Sequence, residues 1–351
     1  MPTGSRRRFA LIGGVVALVV AGLVSSALLG SRGASVSYAQ VGYGYGYAPP
    51  PSPPVATIAR LAGADRIQTA IQVSQSQFPT AGSARAVVLA RADIYPDAMV
   101  GGPLAAHVGG PLLLTESAGL DAATQAEIQR VLPAGGTVYL LGGTGALSPA
   151  VATSLTGLGF HVTRYWGSTR FGTAIAVADA LGNPTTIFEA TGLNYPDALS
   201  AGPAAVAKGG AILLTDGSVQ SSDTAAYLSA HPGVTRYAVG GPAASADRSA
   251  TPLVGADRFA TSVAVANQFF TSPGTVGVAT GMNFPDALSA TPDLGTIDAP
   301  ILLVDPTTPL PASVAAYLST RSSTITTVSI FGGTGAVSSG VSVAISTALG
   351  G

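Results

Sequence analysis

Three stretches of this chain carry the same short motifs in the same order, and this repetition constrains the fold more than any other feature of the sequence. Each copy has a Gly-x-x-Arg turn, an aromatic-Pro-Asp-Ala motif, an apolar run and a Gly-Gly pair. The step from the motif Asp to the end of the apolar run is 18 residues in every copy, from 97 to 115, from 197 to 215 and from 286 to 304. The agreement of motif order and spacing predicts three modules of one architecture.

Each module alternates helical and strand patterns. After each motif Arg, apolar residues fall at helical spacing, as at Ile67, Ala70 and Ile71. Short apolar runs bounded by turns predict three buried strands per module, and strands of this kind alternating with helices favour a parallel sheet covered on both faces. We therefore predict an α/β fold of three tandem modules, each a small, mostly parallel sheet flanked by helices. The predicted strands cover 87–90, 187–190 and 276–279, then runs ending at 115, 215 and 304, then 138–141, 236–239 and 328–331.

The motif spacing places the first module at 58–165, the second at 166–253 and the third at 254–351. Modules of this size bury a limited core when they stand alone, so we expect them to be stabilised by packing on one another.

The start of the chain has the pattern of targeting and spacer sequence. Three arginines at 6–8 precede an apolar run over 10–29, and small residues before position 40 fit a cleavage site. We predict a signal peptide over 1–39, which resembles a twin-arginine export signal although the usual later Lys is missing. The apolar run is also long enough to span a bilayer, so an uncleaved membrane anchor is the rival interpretation. Residues 40–57, rich in Gly, Tyr and Pro, are predicted to be a linker.

Composition narrows the possible partners and cofactors. The chain has no Cys, which excludes a disulfide framework and a thiolate metal site. Four of the 16 basic residues and none of the 17 acidic ones precede position 41, so the rest of the chain is mildly acidic. This balance lacks the basic stripe of a nucleic-acid-binding protein. Any bound anion must therefore be held by a few placed groups.

The Gly-x-x-Arg turn is the first candidate for a binding site. Asp65, Thr169 and Asp257 are suited to cap the helix that follows. An Arg follows the cap in all three copies, although a cation is disfavoured in a first helical turn. The Arg could pair with the cap or with a neighbouring module, or it could form a bidentate anion site beside free helix N–H groups. The candidates are Arg66, Arg170 and Arg258.

The aromatic-Pro-Asp motif is predicted to lie at the carboxyl end of a strand and to open a helix. Pro and Asp suit a first helical turn for structural reasons alone. In parallel α/β sheets, however, this edge is where ligands bind, and the aromatic ring could stack on a sugar. The candidates are Tyr95, Asp97, Tyr195, Asp197, Phe284 and Asp286.

Glycine loops follow the third strand of each module. Successive backbone N–H groups in such a loop could cradle an anion, and a tight turn is the structural alternative. No Gly-Lys-Ser/Thr follows, which excludes a nucleotide P-loop. The second module has Pro242 after its Gly pair. The candidate anion-loop residues are Gly142, Gly143, Gly332 and Gly333.

Catalysis has little support in the sequence. The histidines, His107, His161 and His231, occupy unrelated positions in the repeat. Neither a zinc-binding pattern nor a nucleophile elbow is present. We therefore expect no cofactor, no metal and no enzymatic activity.

The Gly-x-Asp-Arg, Tyr-Pro-Asp-Ala, Ile-Leu-Leu-Thr and Gly-Gly-Thr-Gly series, in triplicate over about 59–351, resembles the cell wall-binding repeat 2 family of bacterial surface proteins. The resemblance implies that the three modules pack as a pseudo-threefold triangle. It also implies non-covalent attachment to an anionic secondary cell-wall polymer, in grooves near the module junctions. Arg66, Arg170 and Arg258 match the family's motif Arg and would contact the polymer.

The copies differ where a ligand would bind. Ser168 and Thr169 replace the Ala-Asp pair of the other modules, and Ala92 and Ile94 stand where the others have Gly and Asn. We expect three sites that are not equivalent.

Together these features predict an exported, non-catalytic protein at the cell wall or cell surface. Its expected partner is an anionic polysaccharide or a teichoic-acid-like polymer, not nucleic acid, with membrane contact only through an uncleaved signal segment. The rivals are a wall hydrolase with a site hidden at a module junction, and a structural surface-layer or adhesion protein.

Overall fold

The computed structural model describes residues 56–182, 184–307 and 309–351. The predicted signal peptide lies outside these residues, as does the predicted linker except for its last two positions. Thr57, the last of these, is already part of a strand. Within the described ranges, no helix combines the length and the apolar character needed to cross a membrane.

Strands and helices alternate along the chain, as the motif pattern predicts. The first module contains β1 (Thr57–Leu61), α1 (Arg66–Gln77), β2 (Ala86–Arg91), a 3-10 turn (Ala98–Val100), α2 (Gly101–Val108), β3 (Leu112–Thr115), α3 (Ala122–Val131), β4 (Thr137–Leu141), α4 (Pro149–Gly157) and β5 (His161–Tyr165). The second contains α5 (Arg170–Ala180), β6 (Thr186–Thr191), α6 (Pro196–Ala207), β7 (Ala211–Thr215), α7 (Ser222–Ala230), β8 (Thr235–Val239), α8 (Gly241–Ala246) and β9 (Thr251–Leu253). The third contains α9 (Arg258–Phe269), β10 (Thr275–Thr280), α10 (Pro285–Thr296), β11 (Ile301–Val304), α11 (Ala312–Thr320), β12 (Thr327–Phe331) and α12 (Ser339–Ala348).

The strands form three parallel sheets of four strands, in the orders β3-β2-β4-β5, β7-β6-β8-β9 and β1-β12-β10-β11. The central strands are buried along nearly their whole length because helices cover both faces of each sheet. The fold class predicted from the sequence is therefore confirmed, with one addition. The motifs indicated three strands per sheet, whereas each sheet has a fourth strand at its edge.

The fourth strand of the third sheet comes from the other end of the chain. β1 pairs in parallel with β12, in a register that runs from Thr57 opposite Thr327 to Leu61 opposite Phe331. The Arg60 guanidinium strengthens this pairing by donating a hydrogen bond of 2.7 Å to the Gly332 carbonyl. The first module is thereby joined to the third, and the three modules close into a ring.

Three small-residue helices, α2, α6 and α10, pack on one another at the centre of the ring. Their close approach depends on glycine: a Cβ added to Gly102 would lie 2.2 Å from Thr291 Cγ2, and one added to Gly295 would lie 2.2 Å from Val206 Cβ. The helices fit together closely because these positions have no side chain. The chain is rich in such small residues, with 45 glycines. They form the hub of a pseudo-threefold triangle.

Candidate functional site

The motif arginines occupy the same place in all three modules. Arg66, Arg170 and Arg258 are each the first residue of a helix, and each is half-buried. The Nη1 group of each donates a hydrogen bond to the main-chain carbonyl that follows the first central strand of its own module. The acceptors are Ala92 at 2.8 Å, Gly192 at 2.5 Å and Gly281 at 2.7 Å. The three guanidinium groups are thus held in equivalent positions at the carboxyl ends of the sheets.

The residues before these arginines cap the helices, as predicted. The side chains of Asp65 and Asp257 accept hydrogen bonds of 2.8 Å from the amides three positions later, and the Thr169 hydroxyl accepts one of 3.1 Å. Thr169 also contacts Asp223 at 3.0 Å. Capping accounts for the acidic position of the motif.

The motif aspartates are half-buried beside the glycine loops. A Cβ added to Gly142 would lie 2.2 Å from Asp97 Oδ2, and one added to Gly332 would lie 2.3 Å from Asp286 Oδ2. Burial raises the pKa of Asp97 and of Asp286, and it raises the pKa of Asp197 to about 6. Burial thus disfavours the charged form of each of these carboxyl groups.

Each motif aspartate faces the next module. The Thr173 hydroxyl and the Arg170 guanidinium of the second module oppose the burial-driven rise in the pKa of Asp97. Arg258 of the third module acts in the same way on Asp197. Each carboxyl group is therefore close to the Arg of another module, and the site is built from two modules.

The junction between the third and first modules has the same arrangement. Thr69 and Arg66 of the first module oppose the rise in the pKa of Asp286. The Arg66 guanidinium carbon also lies 5.4 Å from the centre of the Phe284 ring. We call the three places junction clefts and name each by its Asp and Arg: the first–second cleft (Asp97, Arg170), the second–third cleft (Asp197, Arg258) and the third–first cleft (Asp286, Arg66).

Two of the junction clefts are open cavities. The volume of the third–first cleft is about 350 Å³, and that of the second–third cleft is about 340 Å³. The third–first cleft is lined by the capping turn of the first module, by Asn283 and Pro285, and by the glycine loop that contains Gly333. The second–third cleft has Asn194, Pro196 and Pro242 in the corresponding places. Both combine a guanidinium, a carboxyl group and main-chain polar groups, which suits a polar ligand.

The three motif aromatic rings meet at the axis of the triangle. The ring centres of Tyr95, Tyr195 and Phe284 are 5.4 to 5.9 Å apart in edge-to-face and tilted arrangements. Phe284 is only 7% exposed, whereas Tyr95 and Tyr195 are half-buried. The Tyr95 hydroxyl donates a hydrogen bond of 2.9 Å to the Leu193 carbonyl of the second module. The rings hold the modules together, and only the two tyrosines keep an exposed part.

The glycine loops are partly committed to the fold. Gly142 and Gly332 have positive φ angles of 88° and 102°. Their N–H groups donate hydrogen bonds of 2.9 Å to the last residues of the fourth strands, Tyr165 and Leu61. Those two donors are therefore engaged, which leaves Gly143 and Gly333 as the loop positions for a ligand.

Two sets of site residues escaped the sequence reasoning. Thr69, Thr173 and Thr261 follow each motif Arg by three positions, and their hydroxyls accept hydrogen bonds of 3.1 to 3.2 Å from the motif glycines. Their invariance across the three copies was the signal that could have found them. Arg164, like Arg60, donates to the carbonyl of a loop glycine, at 2.7 Å. It lies in an edge strand that the motif comparison did not detect.

The clefts present polar side chains and main-chain groups. Within 56–182, 184–307 and 309–351, no group of three or more His, Asp or Glu side chains is arranged to hold a metal ion. Each cleft offers hydrogen-bonding groups and the guanidinium of its motif Arg, and Arg91 adds a second guanidinium near Asp97.

Comparison with known proteins agrees with this geometry. The family described as Cell wall binding domain 2 (CWB2) matches the chain three times, at residues 60–152, 164–249 and 253–342. Two solved structures, Cwp8 and Cwp6 from Clostridium difficile, have TM-scores of 0.75 and 0.73 with sequence identities of 27% and 26%. The similarity covers 84% and 83% of this chain, and 52% and 48% of those chains.

Two curated proteins of Bacillus subtilis (strain 168) are also similar. N-acetylmuramoyl-L-alanine amidase LytC is 32% identical over 172 residues, and the protein named Amidase enhancer is 33% identical over 162 residues. These matches cover 49% and 46% of this chain, but only 34% and 22% of the two relatives. The triple family match confirms the resemblance of the motifs, and the chain belongs to the CWB2 family of cell-wall-binding proteins, with three tandem copies of the domain.

Proposed function

We propose that the protein is exported and attaches non-covalently to the cell wall, without catalysis, by binding an anionic secondary cell-wall polymer in its junction clefts. The polymer would be a polysaccharide or a teichoic-acid-like chain. The observation that carries the proposal is the presence of a fixed guanidinium, that of Arg66, Arg170 or Arg258, at every junction between modules.

The anchoring of these arginines favours anion binding. A guanidinium has five N–H donors, and the anchoring bond to a carbonyl uses one of them. The others can form a bidentate pair with a phosphate or a carboxylate. Since the side chain is already held in place, binding costs less conformational entropy than it would for a mobile Arg.

The motif aspartates repel a bound anion less strongly than three ordinary carboxylates would, because burial disfavours their charged form. Burial raises the pKa of all three, to about 6 for Asp197. A protonated Asp beside the Arg presents a hydrogen-bond donor instead of a negative charge. The second–third cleft, which contains Asp197, can therefore accept an acidic polymer at mildly acidic pH with a smaller electrostatic penalty.

The remaining candidate contacts surround the clefts. Tyr95 and Tyr195 keep exposed parts near the axis, and Gly143 and Gly333 lie in the loops beside the aspartates. Phe284 would support these contacts from within the aromatic cluster. A polymer with repeating units could occupy more than one cleft, so weak sites would combine into firm attachment.

Export and the absence of catalysis rest on other observations. The basic start and apolar run at the beginning of the chain have the pattern of an export signal. The CWB2 matches take up most of the chain, and the two relatives with amidase in their names match over a minor part of their own length. The shared part is therefore better explained as a wall-binding region than as a catalytic one.

A co-sedimentation experiment tests the proposed function. Purified protein is mixed with intact cell wall, and in parallel with wall from which the anionic polymer has been removed by mild acid. We expect protein in the pellet with intact wall and in the supernatant with stripped wall. Equal binding to both preparations would rule out the polymer as the ligand.

Zymography tests the absence of catalysis. The protein is run in a gel that contains purified wall, beside a known wall hydrolase as positive control. An uncleared lane is expected for this protein, and a cleared band would contradict the non-catalytic assignment.

A further inference from the structure

The loops at the carboxyl ends of the strands carry an unusual share of the exposed apolar side chains. Six of the eight large apolar side chains that are exposed in the described parts of the chain lie in these loops. The same edge holds the junction clefts. The six residues are Ile94, Trp166, Leu193, Val219, Val254 and Met282.

Trp166 is the largest of these side chains and the only Trp of the sequence. It directly follows β5, next to the capping turn of the second module, and is 57% exposed. A core position would bury such a ring, since a Trp side chain gains much from leaving water. Trp166 instead lies against the glycine loop of the first module, where a Cβ added to Gly143 would be 3.7 Å from its Cε3 atom.

A charged pair also approaches the same loop. Arg91 and Asp93 form an ion pair at 2.6 Å, and Arg91 Nη1 also approaches the Gly145 carbonyl at 3.4 Å. The charge of Arg91 acts on Asp97 of the first–second cleft, so the pair belongs to this junction. The glycine loop of the first module is thus flanked by an exposed indole, a guanidinium and a carboxylate.

This combination occurs at one junction. The positions of Arg91 and Asp93 are occupied by Thr191 and Leu193 in the second module and by Thr280 and Met282 in the third. The position of Trp166 is Ala62 before the first helix and Val254 before the third. The first–second cleft therefore differs in chemistry from the other two.

We propose that Trp166, Arg91 and Asp93 form a sugar-stacking subsite at the first–second cleft, which takes a pyranose ring of the wall glycan. This inference rests on the wall-binding function proposed above. A pyranose has faces of C–H groups that pack on an aromatic ring, and a rim of hydroxyls that need hydrogen bonds. The exposed indole supplies the apolar face, while the guanidinium and the carboxylate supply a donor and an acceptor for the rim. An apolar protein surface would match the indole but would remove water from the ion pair without replacing the hydrogen bonds that the water makes.

Intrinsic fluorescence gives a direct test, because the chain has one Trp. The full chain is titrated with soluble fragments of the wall polymer, and separately with peptidoglycan fragments released by muramidase. We expect a saturable change in the emission of Trp166 with one of the two preparations, which would also show which wall glycan supplies the sugar. Absence of any spectral change at saturating concentrations of both would overturn the subsite.

Matched variants complete the test. Trp166→Ala should weaken fragment binding about tenfold, the loss expected for one stacked aromatic ring, and Trp166→Phe should lose less. Val343→Ala, which removes an exposed apolar side chain from α12 outside the clefts, should bind as the parent protein does. If Trp166→Ala binds as well as the parent, and the parent still sediments with intact wall, the subsite is wrong and the proposed function stands. If the parent does not sediment with wall, both fail.

Discussion

At the scale of single residues, the second module carries a buried acid in its central strand, where the other two modules have none. Glu189 is fully buried in β6, at a position that is apolar in the other two modules. Its carboxyl accepts a hydrogen bond from Gln220, and Asp247, which neighbours it, is paired with Arg236 at 2.8 Å. Burial and then the neighbouring Asp247 raise the pKa of Glu189 to about 8. The folded protein therefore holds a proton on Glu189 at neutral pH.

This proton makes stability depend on pH. Between the ordinary Glu pKa of about 4.3 and the folded value of about 8, the folded state binds more protons than the unfolded state, so stability falls as pH rises through this window. Glu189→Gln imitates the protonated acid and removes this contribution. We measure the free energy of unfolding by denaturant titration. The value for the variant minus the value for the parent should increase from pH 5.5 to pH 8.5.

Exposed Asp216→Asn serves as the control, and its pH profile should run parallel to that of the parent. If the Glu189→Gln and parent profiles are parallel as well, Glu189 does not hold a proton in the folded state.

Two adjacent glycines offer a second test at this scale. Gly142 has a φ of 88° and no room for a Cβ beside Asp97, whereas the nearest atom to a Cβ on Gly143 is Trp166 Cε3 at an ordinary 3.7 Å. Gly142→Ala should cost at least about 1–2 kcal/mol through the backbone alone, and should weaken wall binding by displacing the Asp97 carboxyl. Gly143→Ala should be mild. Thermal unfolding of the two variants checks this, and equal melting temperatures would contradict the assigned geometry.

The sequence motifs locate the site residues one by one but not their partners. Arg66 and Asp97 lie in the same module, and the motif spacing does not say which Asp each Arg approaches. In the fold, Arg66 instead neighbours Asp286 of the third module, because the packing of whole modules decides which loops meet. A single Thr in a helix has no distinctive sequence signature, so only its recurrence in all three copies marks the motif Thr.

At the scale of elements, three strands of each sheet were predictable and the fourth was not. β2, β6 and β10 read as continuous apolar runs because both of their faces are buried. The fourth strands are short and largely exposed or half-buried, and β9 has only three residues, which include a Pro. Such segments carry neither a buried-strand pattern nor a clear alternation, so only the pairing partner reveals them.

The pairing of β1 with β12 predicts the effect of truncation. A chain that begins at residue 62 lacks β1, whereas one that begins at residue 56 retains it. Loss of β1 exposes the edge of β12 and removes the bond from Arg60 to Gly332. The shorter chain should melt at a lower temperature and self-associate in size-exclusion chromatography. Identical melting and elution of the two chains would show that ring closure contributes nothing to stability.

At the scale of the whole molecule, one architecture is repeated while its ligand-facing loops diverge. Closure of the ring by β1 creates a third junction from two ends of the chain, so three modules yield three clefts. The clefts share an Arg and an Asp, but Trp166 and the Arg91–Asp93 pair distinguish the first–second cleft. Such a ring would bind one polymer at several unequal points, with the shared Arg providing the common contact.

The binding of the triple variant Arg66→Gln, Arg170→Gln and Arg258→Gln to intact wall tests this account most directly. Its matched control is the double variant of two exposed arginines outside the clefts, Arg85→Gln and Arg248→Gln, and thermal unfolding confirms that both variants are folded. A second triple variant with Lys at the same positions retains the positive charge but loses the planar guanidinium that can donate two parallel hydrogen bonds to one anion. The account predicts that the Gln triple variant binds at least about tenfold more weakly than the parent, that the Lys variant is intermediate and that the control is unchanged. A folded Gln triple variant that binds wall as tightly as the parent would contradict it.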